Sequence, residues 1–78
     1  MTDPYKPIAC SLHDEYEIAI MSKKQLNIKW SDDTDKQHAG KVIPKDILVK
    51  DKEEFLVVNT QDNKELYIRM DKITLLKT

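Results

Sequence analysis

Two carboxylates near the front of the chain, Asp14 and Glu17 in "SLHDEYEIA", are the first residues whose spacing could do chemistry. On a helix they are i, i+3 neighbours and share a face. A carboxylate pair can serve as general acid and base when a pocket sets the two apart. Here both fall on the solvent side of an amphipathic pattern, where no pocket is implied, so acid–base catalysis is not expected. His13 and His38 have no cysteine or carboxylate neighbours at metal-ligand spacing, and no metal site is expected. Cys10 is the single cysteine and carries no catalytic signature around it. A helix start can activate a thiol, but the acids that follow oppose this, and Cys10 reads as a small buried residue. Gly40 is the only glycine, so there is no glycine-rich phosphate loop. The chain reads as a non-enzyme without a cofactor.

Composition narrows the classes further. A chain of 78 residues supports one domain, residues 1–78, with one modest core. The net stability expected at this size is only about 3–5 kcal/mol. One cysteine allows no internal disulfide, which suits a reducing compartment. No apolar run approaches the roughly 18 residues of a membrane span. The front has no apolar signal core, and a cytoplasmic protein is expected. A net charge of −1 argues against a plain nucleic-acid binder. The charge is unevenly spread: residues 1–22 balance at −3, residues 23–52 at +3 and the remainder at −1.

The elements that must position these residues follow from periodicity. Pro4 and Pro7 hold Thr2–Ala9 extended. Ser11 is the expected N-cap, with Asp14 three residues on as in a capping box. At 100° per residue Leu12, Tyr16, Ala19 and Ile20 share one arc and face the core. His13, Asp14, Glu17 and Met21 fall opposite, with Ile18 near them, so the outer face is acidic with some apolar content. The helix is expected to end near Ser22–Lys24, where the lysines suit its dipole.

Strands follow. "QLNIKW" alternates, with Leu26, Ile28 and Trp30 on one side. A second strand is expected within His38–Ile43, ended by Pro44. "PKDI" reads as a turn, Ile47–Lys50 as a short strand and "DKEE" as the next turn. "FLVVNT" is apolar and β-branched enough to be buried on both faces. "QDNK" carries a tight turn at Asp62-Asn63. "ELYIRM" alternates, with Leu66, Ile68 and Met70 inward and Glu65, Tyr67 and Arg69 outward. Phe55 and Val57 are expected to line the core with Leu66 and Ile68. A short strand around Ile73–Leu76 completes the series.

An N-terminal helix and about five short antiparallel strands give an α+β, mainly β fold. So few strands bury a core only by bending into a small barrel. A helix ahead of the first strand matches an Sm-like barrel, whereas an OB-fold places its helix between the third and fourth strands. Such barrels often bind RNA through a basic groove and stacking aromatics. Tyr16, Phe55 and Trp30 read as core residues here and Tyr67 as exposed, which leaves direct RNA binding as the weaker alternative.

Four motifs then carry a resemblance. They are Y-x-P-I-x-C at Tyr5, Pro7, Ile8 and Cys10, D-x-x-E-I-A at Asp14, Glu17, Ile18 and Ala19, E-F-L-V-V at Glu54–Val58, and D-K-I at Asp71–Ile73. In this order and spacing the chain resembles the Rho-binding antiterminator family, known as Rof or YaeO. The resemblance implies an Sm-like fold with an N-terminal helix. It implies a partner, the hexameric helicase Rho that terminates bacterial transcription. It implies docking on Rho's N-terminal RNA-binding domain, as a free monomer, in competition with pyrimidine-rich RNA. Asp14 and Glu17 match acidic positions of the family helix. His13 takes the place of a family tyrosine, and Ser11 and Leu12 stand where relatives carry acids. The turn bearing Lys50 and Lys52 matches a family loop near the partner surface.

Overall fold

The computed structural model describes residues 6–32 and 34–76. Thr2–Tyr5, the front of the expected extended segment, lies outside them. Helix α1 spans Cys10–Ser22. It begins one residue ahead of Ser11. Ala9 caps it with extended backbone and no side-chain bond. The Ala9 carbonyl accepts the N–H groups of Leu12 at 3.1 Å and His13 at 3.0 Å. The expected Ser11 cap and its capping box with Asp14 therefore do not form, because Ser11 already lies in the first turn. Cys10 at that start is exposed rather than buried.

The end of α1 is a Schellman turn. Lys23 takes the left-handed conformation at φ 55°. Its N–H bonds the Ile20 carbonyl at 3.3 Å, and Lys24 N–H bonds that of Ala19 at 2.9 Å.

Five strands follow: β1 (Leu26–Ser31), β2 (Gln37–Lys50), β3 (Glu53–Thr60), β4 (Glu65–Arg69) and β5 (Ile73–Leu75). A 3-10 turn, Met70–Lys72, joins the last two. All pairings are antiparallel, and the ladder runs β4-β3-β2-β1-β5.

One expectation fails at Pro44. The two strands expected on either side of it are a single strand of 14 residues. Pro44 stands opposite Val58 and Asp46 opposite Val57, so the register shifts and Lys45 is the extra residue of a bulge. A bulge lets a strand absorb a residue without an N–H by bending instead of stopping. The apolar Pro44 ring also points inward and is fully buried. The strand total still reaches five because Ile73–Leu75 pairs with β1.

Helix α1 lies over the inner face of the sheet and packs mainly on β2. Tyr16 and Ala19 enter one cluster with Leu26, Ile28, Val42, Leu56, Val58, Ile68, Met70 and Ile73, with Leu12 and Ile20 packed at its margin. The helix phase is thus the expected one. Burial, and then the neighbouring Glu15 charge, push the Tyr16 phenol up to about 12.

The phase of β3 is not the expected one. Leu56, Val57 and Val58 are all buried, as an apolar run on two faces should be. Leu56 and Val58 face the core with Leu66 and Ile68. Phe55 and Val57 stand on the opposite face, beside Leu48, Arg69 and Tyr67. A run without alternation has no internal signal for which side is inward.

Arg69 was expected outward into water but is nearly enclosed. Its Nε and Nη2 donate to Asp71 Oδ1 at 2.6 Å and Oδ2 at 2.7 Å. Asp71 Oδ2 also accepts the backbone N–H of Lys6 at 3.0 Å. The fork therefore fastens the β4–β5 corner to the segment before α1. Burial opposes ionisation of Asp71. The Arg69 hydrogen bonds, the Lys6 N–H and the guanidinium charge outweigh it and hold the carboxyl below the usual range.

Two outcomes test this packing. Leu56→Ala should cost about 2–5 kcal/mol in urea unfolding, and Phe55→Ala less, because its ring is only half-buried. Equal losses would show that both faces of β3 are core. The Asp71 carboxylate should add stability that is present above its unfolded value near 3.9 and lost as pH falls through its lower folded value. Asp71→Asn should cost about 1.5–3 kcal/mol at neutral pH and flatten the acid limb of stability against pH.

Candidate partner-binding site

The rotation of α1 decides what it shows to solvent. With Tyr16 and Ala19 inward, Asp14, Glu15 and Glu17 are exposed, and so are Ile18 and Met21. His13 lies at the flank, half-buried, facing the end of β3. Its Nδ1 is 3.0 Å from Glu17 Oε1 and its Nε2 is 3.1 Å from Glu54 Oε2. Each ring nitrogen therefore faces a carboxylate oxygen, one on the helix and one on the sheet. His13 is thus a bracket between helix and sheet.

This corrects the reading that His13 has no carboxylate at ligand spacing. Ligand atoms of His13, Asp14 and Glu17 lie within 4.8 Å of one another. Exposed acidic groups commonly gather in this way without an ion, and here His13 links Glu17 on the helix to Glu54 on the sheet. Sequence spacing does not point to Glu54 as a site residue. Its signal was present, since it opens the E-F-L-V-V motif, but a glutamate in a turn-like "DKEE" gives no hint of a helix beside it.

Lys50 and Lys52 lie at the tip of the β2–β3 hairpin, both exposed. Lys50 pairs with Glu53, and the next rung pairs Val49 with Glu54. The bracket from His13 to Glu54 therefore sets α1 one rung from this tip. No hydrogen bond or ion pair joins either lysine to the helix acids among the described residues. Asp51 and Lys52 both have positive φ, 52° and 66°. That is the two-residue turn whose twist matches a hairpin, built here without glycine. A lysine held left-handed is strained, by roughly 1 kcal/mol or more.

A second polar knot sits at the β1–β2 loop. Asp32 Oδ1 accepts the N–H groups of Thr34 and Lys36 and the Thr34 hydroxyl, and Asp32 Oδ2 is 2.7 Å from His38 Nε2. These bonds, led by that of His38, hold the Asp32 carboxyl well below the usual range. The His38 ring stacks on Trp30 at 5.4 Å. Trp30 also packs against the core, so its ring is engaged on the protein side. Tyr67 is exposed, as expected, with its hydroxyl donating to Glu65 at 2.9 Å.

With this geometry established, a family model described as "Modulator of Rho-dependent transcription termination (ROF)" matches residues 7–78. The chain belongs to this family. Searches of curated proteins and of solved structures give no match. Membership in the ROF family makes the chain a regulator in Rho-dependent transcription termination. Among the described residues no helix is long and apolar enough to cross a membrane. Three of the four motifs that carry the resemblance now have structural roles. Asp71 of D-K-I ties the front segment to the sheet, Glu54 of E-F-L-V-V brackets His13, and D-x-x-E-I-A combines two exposed acids with the buried Ala19.

Lys52→Gly should stabilise the fold by about 1 kcal/mol in urea unfolding, since glycine adopts the left-handed turn freely. No gain would mean that the turn relaxes around lysine at no cost.

Proposed function

We propose that this chain inhibits Rho-dependent termination by docking the acidic face of α1 on the N-terminal RNA-binding domain of Rho. There it occludes the primary RNA site. The observation that carries the reading is charge left available. Asp14, Glu15 and Glu17 are exposed, Glu17 touches His13 on its inner side, and no lysine or arginine among the described residues pairs with the three. Such a surface complements a basic cleft that normally holds phosphates. In this reading Asp14 and Glu17 bear on the cleft, and His13 fixes the angle of Glu17 through its bracket. Lys50 and Lys52 at the neighbouring tip meet the cleft's rim. The strain at Lys52 fits this role, because strained residues persist where function holds them.

The chain acts as one domain over residues 1–78, a monomer when free, in the cytoplasm, as a binding protein and not an enzyme. We read its helix-first order as an Sm-like barrel, with the 3-10 turn at Met70–Lys72 linking β4 and β5, the two ends of the ladder. Direct RNA binding has less support. Trp30 is stacked on His38 and packed on the core, which leaves Tyr67 as the exposed ring among the described residues.

Fluorescence anisotropy of a labelled pyrimidine oligonucleotide bound to Rho tests the proposal. Titrating the protein should raise the oligonucleotide's apparent Kd without a plateau. Asp14→Lys combined with Glu17→Lys should abolish competition by placing like charge against the cleft, at a stability loss of no more than about 1 kcal/mol from the His13–Glu17 contact. A ternary complex with unchanged oligonucleotide affinity would sink occlusion. Tight oligonucleotide binding by the protein without Rho would favour direct RNA recognition.

A further inference from the structure

The outer face of α1 is more than acidic. Asp14, Glu17, Ile18 and Met21 stand at i, i+3, i+4 and i+7, the spacing of one continuous ridge. Ile18 is 62 % exposed and Met21 85 %, the highest exposure of any large apolar side chain among the described residues. Each carboxylate thus has an apolar side chain one turn further along, about 6 Å down the axis. The core already has its apolar stripe on the far side, so these two residues are not needed for packing. Ile18 also walls a groove of about 600 Å³ between α1 and the end of the sheet, where it stands with Leu75 and Leu76 beside the polar Glu15, Lys24 and Lys41.

A cleft for single-stranded nucleic acid has two kinds of surface. Cationic side chains follow the phosphates, and aromatic platforms receive the bases. Charge complementarity accounts for Asp14 and Glu17 against the first kind. It leaves Ile18 and Met21 facing whatever lies next to it. We propose that the ridge stands in for both parts of a nucleotide. The carboxylates of Asp14 and Glu17 take phosphate positions, and Ile18 and Met21 enter the platform that receives bases. Methionine suits this, since its flexible thioether packs well on aromatic rings. The inference rests on the reading that the RNA cleft of Rho is the partner surface, and adds that half of the contact is apolar.

The two halves respond differently to salt. Attraction between exposed charges weakens as ionic strength rises, whereas apolar burial does not. Affinity for Rho should be measured from about 50 to about 200 mM salt. The proteins are wild type, the pair Ile18→Asn with Met21→Gln, and the pair Asp14→Asn with Glu17→Gln. Circular dichroism confirms that each is folded, and Met21→Ser alone provides a milder variant. The apolar pair should bind about tenfold or more weakly at every salt concentration with the salt slope unchanged. The charge pair should lose affinity mainly at low salt and flatten the slope. A folded apolar pair with wild-type affinity would overturn the ridge while leaving Rho binding intact. An apolar pair that flattens the slope as the charge pair does would also overturn it. Failure of the wild type to bind Rho at any salt would overturn the Rho reading itself.

Discussion

Tyr16 is fully buried in the cluster that also holds Ile28, Val42, Leu56 and Met70, and the outside of α1 is arranged around that insertion. A five-stranded sheet in so short a chain has one apolar inner face and little else to cover it. The helix supplies the cover, and the large ring fixes its rotation. Once Tyr16 points inward, helical geometry leaves Asp14, Glu17, Ile18 and Met21 outward. Stability and the surface shown to solvent are therefore tied to one angle. His13 holds the same angle from the flank by reaching Glu54 on the sheet.

The sheet meets the helix by bending. A flat β2 of this length would pass the core on one side only. The bulge between Pro44 and Asp46 turns the strand so that Val42 and Pro44 and then Ile47 face inward on either side of it. At the other end, Arg69 and Asp71 tie down the corner between β4 and β5. A guanidinium and a carboxylate buried together need close geometry to offset their desolvation. The two short bonds between them meet that need.

Much of this was legible in the residues. The helix face and the alternation of β1 and β4 follow from spacing, and the hairpin turn does fall in "QDNK", although it is a three-residue loop, 61–63, closed by Thr60 and Lys64, with positive φ at Asn63 alone of the expected pair, 62°. The errors have specific causes. Pro44 reads as a strand end because the missing N–H is visible in sequence and a bulge is not. Phe55 and Val57 read as inward because four apolar residues in a row carry no phase. Arg69 reads as outward because its partner lies two residues away across a corner that alternation does not foresee. Of the candidate site, Asp14 and Glu17 were legible from helical period alone. The His13–Glu54 contact spans 41 residues of sequence and depends on which rung of the hairpin the helix crosses.

The bond from Lys6 to Asp71 is made by the backbone, not by the lysine side chain. Its demand on position 6 is thus for an amide hydrogen and nothing more. Charge, size and polarity there can drift freely among relatives while the latch persists. Proline alone is barred, although prolines stand on both sides of that position at Pro4 and Pro7. A fixed contact can in this way leave no trace in the identity of one of its two partners.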